Sequence, residues 1–257
     1  MASNDNLRDN IEELKPTHYL ESRMALIILN SPIPDLEYFR RLYDHASLRI
    51  CADGGANRLY DLLLKQYGES KWIDGLRAMP PDLIHGDLDS LHDTVRKRYE
   101  QIGVQVTQDT DQYSTDFGKA INQVIERMPT VQTILVAGSL GGRVDQGIGL
   151  LHELYREQKL RHPRVRFWFF SEASVSTLLN TGATGVHTPV DEGLITRNIG
   201  ILPLYGPATI STKGLEWDVE DWRTEIGGQV STSNHIVADH ITISTDNQVL
   251  FTVERAA

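Results

Sequence analysis

The spacing of hydrophobic positions changes about two-thirds of the way along this chain. Up to about residue 173, short continuous apolar runs alternate with longer segments of helical spacing. Met24 to Leu29 is the first run and reads as a strand buried on both faces. Asp35 to Ala46 carries Leu36, Phe39, Leu42 and Tyr43 at helical spacing, behind an aspartate suited to an N-cap. Leu48 to Ala52 and Leu83 to His85 read as strands, with a helix over Ala56 to Tyr67 and a loop or insertion over Gly68 to Pro81. Next come a helix near Asp93 to Gln101, a strand at Val104 to Thr107 and a helix over Thr115 to Met128. A strand at Val131 to Ala137, a helix near Gln146 to Gln158 and a strand at Val165 to Phe170 complete the alternation. Such alternation predicts a largely parallel α/β sheet with flanking helices.

Beyond Ala173 the pattern becomes short and β-branched, with Gly, Pro, Asn and Asp between the pieces. Strands are expected at Ser174 to Leu179, Gly185 to Thr188, Asn198 to Leu204, Ala208 to Thr212 and Gly228 to Ser233. Further ones are expected at Ile236 to Val237, Ile241 to Thr245 and Val249 to Val253. With no long helical window among them, they predict an all-β sandwich or barrel. The expected organisation is an N-terminal arm over 1–23, an α/β domain over 24–173 and a β-sandwich over 174–257. The first twenty residues read as a loose arm or an added short helix.

Composition narrows the function classes. The formal net charge of −10 argues against nonspecific nucleic-acid binding, which needs basic surface. It leaves anionic small ligands open, because local field outweighs net charge. Cys51 is the single cysteine, so no intrachain disulfide can form, and its apolar neighbours suggest a buried, inert thiol. The polar start has no apolar core of a signal peptide, and no window is long and apolar enough for a membrane span. A soluble cytoplasmic protein is the expectation.

The chemistry is concentrated in four motifs. They are A-D-G-G-A-N (Ala52 to Asn57), G-D-L-D-S (Gly86 to Ser90), S-T-D-F-G-K-A (Ser114 to Ala120) and G-G-R-V-D-Q (Gly141 to Gln146). Three follow predicted strands, where ligands of open α/β sheets sit. The fourth opens a helix, whose N–H groups favour anions. Asp53, Asp87, Asp89, Asp116 and Asp145 lie in these motifs. So many carboxylates call for a hard divalent cation, which prefers oxygen ligands. Lys119 and Arg143 suit phosphate oxygens. Bland readings stand beside each. Asp87-Leu88-Asp89 also fits a solvated turn, although i and i+2 side chains of an extended segment share one side. Asp116 and Lys119, three apart on a helix, also fit a surface ion pair. Asp145 also fits a helix N-cap. Neither a G-x-G-x-x-G fingerprint nor a Walker A signature occurs. Trp217 and Trp222 in the β region fit core positions, or a platform for a planar cation.

In this order, D-G-G-A-N, G-D-x-D-S, D-Q-x-x-T-D-F-x-K-A and G-G-R-x-D-Q, followed by S-T-S-N at Ser231 to Asn234, resemble thiamine pyrophosphokinase. The resemblance runs from about Met24 to the C-terminus. It implies an ATP-binding α/β domain, a β-sandwich, and a homodimer with thiamine bound between domains of different subunits. It implies transfer of the diphosphate of ATP to the hydroxyl of thiamine, with AMP leaving. It makes Asp87, Asp89 and Asp116 Mg²⁺ ligands. It gives Lys119 and Arg143 to the phosphates, and Asp53, Gly54, Asn57 and Thr115 to the ATP side. Gln112 and Asp145 fall near the thiamine hydroxyl, Asp145 as base or orienter. Trp217 would stack on thiamine, with Ser231, Ser233 and Asn234 around its pyrimidine. A Mg²⁺-dependent phosphohydrolase or nucleotidyltransferase on the same acidic site is the competing reading, and a non-catalytic sensor is a third.

Overall fold

The computed structural model describes residues 12–14 and 24–256. The chain divides into two compact units, one of residues 24–172 and one of residues 12–14 with 173–256.

The first unit is a six-stranded sheet, parallel throughout. Its strands are β2 (Met24–Ile28), β3 (Leu48–Ala52), β4 (Leu83–Gly86), β5 (Gln105–Gln108), β6 (Thr133–Ala137) and β7 (Arg166–Phe170). They lie in the order β7-β6-β2-β3-β4-β5. The continuous apolar run of β2 is explained by its central place, because every residue of it is buried. The chain winds outward from β2 to β5, then returns to lay β6 on the other side of β2. That reversal beside β2 is the switch point, where a crevice opens at the carboxyl ends of the strands.

Helices α1 (Leu36–His45), α2 (Gly55–Tyr67), α3 (Trp72–Ala78), α4 (Asp93–Gln101), α5 (Asp116–Arg127) and α6 (Val144–Tyr155) connect the strands. Asp35 caps α1 as its sequence suggests, its side chain accepting from the Tyr38 N–H at 2.7 Å. Thr115 caps α5 in the same way through the Gly118 N–H. Helix α6 runs on into a π-helical segment over Arg156–Arg161. The segment Gly68 to Pro81, expected to be a loop or insertion, carries a short 3₁₀ turn and α3. Its helical order comes from tertiary packing: Leu76 is buried, Gly75 lies against the Tyr67 ring, and the Arg98 guanidinium sits 4.8 Å from the Trp72 ring.

The second unit holds two sheets and no long helix. β8 (Ser174–Leu179), β15 (Val249–Arg255), β10 (Ile195–Leu202) and β13 (Ser231–His235) form an antiparallel sheet. β9 (Gly182–His187), β14 (His240–Thr245), β11 (Ala208–Lys213) and β12 (Trp222–Thr224) form the other, also antiparallel. The expected strand pieces at Gly228 to Ser233 and Ile236 to Val237 resolve into β13 followed by a single bridge at Ile236. Residues expected to be a loose arm or helix supply a fifth strand to the sheet of β9: β1 (Glu12–Leu14) pairs in parallel with β9 at its edge. Leu14 is buried there, and Glu13 pairs with His240 at 3.0 Å. The rest of that expectation lies outside the described residues.

Helix α2 starts directly on the end of β2. A Cβ at Gly55 would stand 2.0 Å from the Ile28 carbonyl oxygen, so only glycine permits this approach. Gly55→Ala should destabilise the protein by about 1–3 kcal/mol through overpacking. The check is a lower urea midpoint with an unchanged slope.

Candidate active site

The loops at the carboxyl ends of β2, β3, β4 and β6 meet in a cleft of about 880 Å³, within the usual range for small-ligand sites. Asn30 and Ser31 come from the loop after β2, Asp53 and Gly54 from the turn after β3, Asp87 and Ser90 from the loop after β4. Gly141 and Arg143 come from the loop after β6. The first turn of α5 adds Thr115 and Asp116, and the preceding loop adds Gln112. Three of the four described non-glycine residues with positive φ stand in these same loops: Asp53 at 42°, Leu88 at 66° and Leu140 at 51°. Backbone held in this region costs energy that surrounding contacts must offset, and it concentrates at functional sites.

At the centre, one carboxylate oxygen from each of Asp53, Asp87 and Asp116 lies within 4.8 Å of the others. The close approach depends on Gly86, where a Cβ would meet Asp53 Cβ at 2.8 Å and Asp116 Oδ1 at 2.9 Å. Lys119 lies beneath them, 1% exposed. Its Nζ donates to the Asp109 carbonyl at 3.0 Å and stands 3.8 Å from Asp87 and 3.7 Å from Asp116. Burial pushes the Asp53 carboxyl above the ordinary aspartate range, opposed by its hydrogen bond from the Ser90 N–H and reinforced by the charges of Asp116 and Asp87. Burial also raises Asp116, and the facing Asp87 charge adds to it.

Asp53 Oδ1 is buried with no hydrogen-bond partner. A partnerless carboxylate oxygen on a residue grouped with two further carboxylates fits a hard divalent cation such as Mg²⁺, which would relieve the repulsion. The residues therefore fit such an ion, held by Asp53, Asp87 and Asp116.

Other residues singled out by sequence fall at varying distances from this group. Asp89 is exposed and accepts from the Ser90 hydroxyl at 2.9 Å, outside the three-carboxylate group. Extended backbone would put it on one side with Asp87, and the positive φ of Leu88 breaks that geometry. Asn57 is buried and does not line the cleft. Its amide donates to Ser90 O at 2.8 Å and accepts from the His92 N–H at 3.1 Å, fixing the loop that carries Asp87. Thr115 and Gly54 line the cleft, as does the exposed Gln112. Arg143 and Asp145 are largely exposed and pair with each other at 2.5 Å. That contact holds the Asp145 carboxyl below its usual range, which makes it a weak proton acceptor as placed.

In the strand-rich unit, Trp217 is 54% exposed. Asn234, buried on β13, accepts from the Trp217 N–H at 3.1 Å and donates to its carbonyl at 2.8 Å. The amide thus fixes the tryptophan backbone. His235 lies 5.3 Å from the indole, centroid to centroid, and bonds Glu216 at 2.6 Å. Ser231 and Ser233 lie on β13 where its register against β10 shifts, so the strand's simple alternation is broken between them.

A family model described as the thiamin pyrophosphokinase catalytic domain matches residues 39–166, and one for its vitamin B1 binding domain matches residues 185–250. Thiamine pyrophosphokinase 1 of Arabidopsis thaliana is 34% identical over 239 residues, covering 90% of this chain and 86% of that protein. The chain belongs to the thiamin pyrophosphokinase family. The enzyme of Saccharomyces cerevisiae is 29% identical, over 91% of this chain and 86% of its own. The crystal structure of yeast thiamin pyrophosphokinase matches with a TM-score of 0.84 at 27% identity, covering 99% of this chain and 94% of that one. The Candida albicans structure matches at 0.79 and 26%, covering 95% and 93%.

Sequence reasoning missed Asn30, Arg58 and Glu153 as cleft residues. Asn30 was within reach of the strand-end rule that found the other motifs, since it follows β2.

The raised carboxyls carry a stability consequence. Folding lifts Asp53 and Asp116 above the ordinary value of 3.8, so the folded chain binds more protons than the unfolded chain in that interval. Stability of the cation-free protein therefore falls as pH rises from 3.8 through the raised values. Asp53→Asn removes one source of this loss. In chelator at pH 7 the variant should melt above the wild type, whereas Mg²⁺ should raise the wild-type Tm more than the variant's. A lower variant Tm in chelator would contradict the assignment.

Proposed function

We propose that this chain catalyses transfer of the diphosphate of ATP to thiamine, giving thiamine diphosphate and AMP. The observation that carries the reading is the convergence of Asp53, Asp87 and Asp116 over a buried lysine, in a chain whose two halves match the two domains of one enzyme family. In the reaction the hydroxyethyl oxygen of thiamine bonds to the β-phosphorus. The bond from that phosphorus to the oxygen bridging to the α-phosphorus breaks, AMP leaves with that oxygen, and the hydroxyl proton is released.

Mg²⁺, when bound, would screen the carboxylates from the triphosphate and draw charge from the phosphoryl oxygens. Asp87 and Asp116 are its proposed ligands with Asp53, and the exposed Asp89 of the same motif is a further candidate. Lys119 supplies a fixed positive charge next to the reacting phosphates. Arg143, exposed and paired with Asp145, can exchange that partner for phosphate oxygens. Release of Asp145 would then raise its basicity beside Gln112 in the cleft, which suits it to receive or orient the thiamine proton.

For the vitamin, we propose Trp217 as an aromatic platform for the cationic ring system, with Ser231, Ser233 and Asn234 around the pyrimidine. Cation–π attraction to an exposed indole supports this, as does the hold of Asn234 on the tryptophan backbone. We also propose a homodimer, supported by exposed Val144 and Ile148 one turn apart on α6. A cytoplasmic location accords with a free, buried Cys51. No described helix is long and apolar enough to cross a membrane.

Incubation with ATP, Mg²⁺ and thiamine should yield AMP and thiamine diphosphate in equal amounts. Nucleotide turnover without thiamine would favour the hydrolase reading instead, and ADP as the nucleotide product would overturn the proposal. Trp217→Ala should raise KM for thiamine by roughly 3–30-fold, the size of a lost cation–π contact, with little change in KM for ATP.

A further inference from the structure

Arg58 is a cleft cation that none of the four motif roles accounts for. It lies in the first turns of α2, just past the Asp53-Gly54-Gly55 turn, and lines the cleft. Its Nε donates to Asn30 Oδ1 at 2.9 Å, and Asn30 lines the cleft from the loop after β2. Gly54 makes this contact possible, because a Cβ there would fall 2.4 Å from Asn30 Nδ2 and 2.7 Å from its Cγ. Asn30, Gly54 and Arg58 therefore interlock on one wall.

The charge arrangement distinguishes Arg58 from its neighbours. Arg143 is paired with Asp145, and Lys119 stands between Asp87 and Asp116. Arg58 is held by an uncharged amide, with no carboxylate partner among the described residues. An amide oxygen orients a guanidinium without neutralising it. Using Nε for that bond leaves the two terminal nitrogens as a fork that matches phosphate oxygens. Helix α2 also begins without a side-chain cap at this wall, and a helix N-terminus favours anions. In a cleft lined by Asp53, Asp87, Asp111, Asp116, Asp145 and Glu153, a cation left unneutralised is where a polyanion gains most.

We propose that Arg58, set by Asn30, binds the phosphate chain of ATP. Arg58 is a nucleotide-binding residue and Asn30 its positioning residue. The inference rests on the ATP-dependent reading above, and the test separates the two.

Calorimetry is run with Mg²⁺-ATP and with adenosine, both without thiamine, on the wild type, Arg58→Ala, Arg58→Lys and Asn30→Ala. Arg58→Ala should weaken ATP by about 10–100-fold, the loss of charge-assisted hydrogen bonds, while adenosine binds as before. Arg58→Lys should recover only part of the loss, because an ammonium lacks the fork. Asn30→Ala should weaken ATP by a smaller factor and leave adenosine unchanged. In steady state, KM for ATP rises in Arg58→Ala while KM for thiamine holds. Equal ATP binding by wild type and Arg58→Ala would overturn the inference and leave the family reading intact. Equal weakening of ATP and adenosine would overturn the phosphate assignment. A wild type that binds no ATP would overturn both.

Discussion

The catalytic unit depends on holding three carboxylates together over one buried ammonium. At 4.8 Å, two like charges repel by about 3–4 kcal/mol at an effective dielectric constant near 20. Lys119, within 4 Å of Asp87 and Asp116, offsets part of that repulsion, and the carboxylates in turn compensate its own burial. Three carboxylates and one ammonium leave two negative charges, which a single divalent cation balances. The orphan oxygen of Asp53 and the raised carboxyls of Asp53 and Asp116 are features that a divalent cation there would relieve.

The fold supplies the means of assembly. Parallel strands deliver every loop to one edge, and the reversal at β2 opens the cleft there. Glycines then let the pieces close up: Gly86 admits Asp53 and Asp116, Gly54 admits Asn30, and Gly55 lets α2 start on β2. The positive φ values of Asp53, Leu88 and Leu140 sit in the same loops, so the local backbone strain and the chemistry share one place.

Much of this was legible in the sequence, because local pattern reports local structure. The uninterrupted apolar run of β2 signalled a central strand, and Asp35 before helical spacing signalled the cap of α1. The order of the four motifs pointed to the site and to the family. What local pattern could not report was convergence. Asp53 read as a nucleotide-side residue, yet it stands with Asp87 and Asp116, which are far from it in sequence. Asp89 lies two residues from Asp87, where an extended segment would let both reach one ion and a solvated turn would not, and the left-handed Leu88 turns the chain between them. Asn57 looked like a cleft residue and instead serves the loop behind it. Helix α3 went unseen because its few residues carry a glycine and take their order from Tyr67 and Arg98.

The central claim is that these carboxylates form one divalent-cation site. Manganese(II) titration followed by electron paramagnetic resonance tests it directly, because free and bound ions give distinct signals. The account predicts a bound-ion signal with the wild type that is lost in both Asp87→Asn and Asp116→Asn while each variant keeps its folded circular dichroism spectrum. Bound manganese retained at wild-type affinity in both folded variants would contradict it.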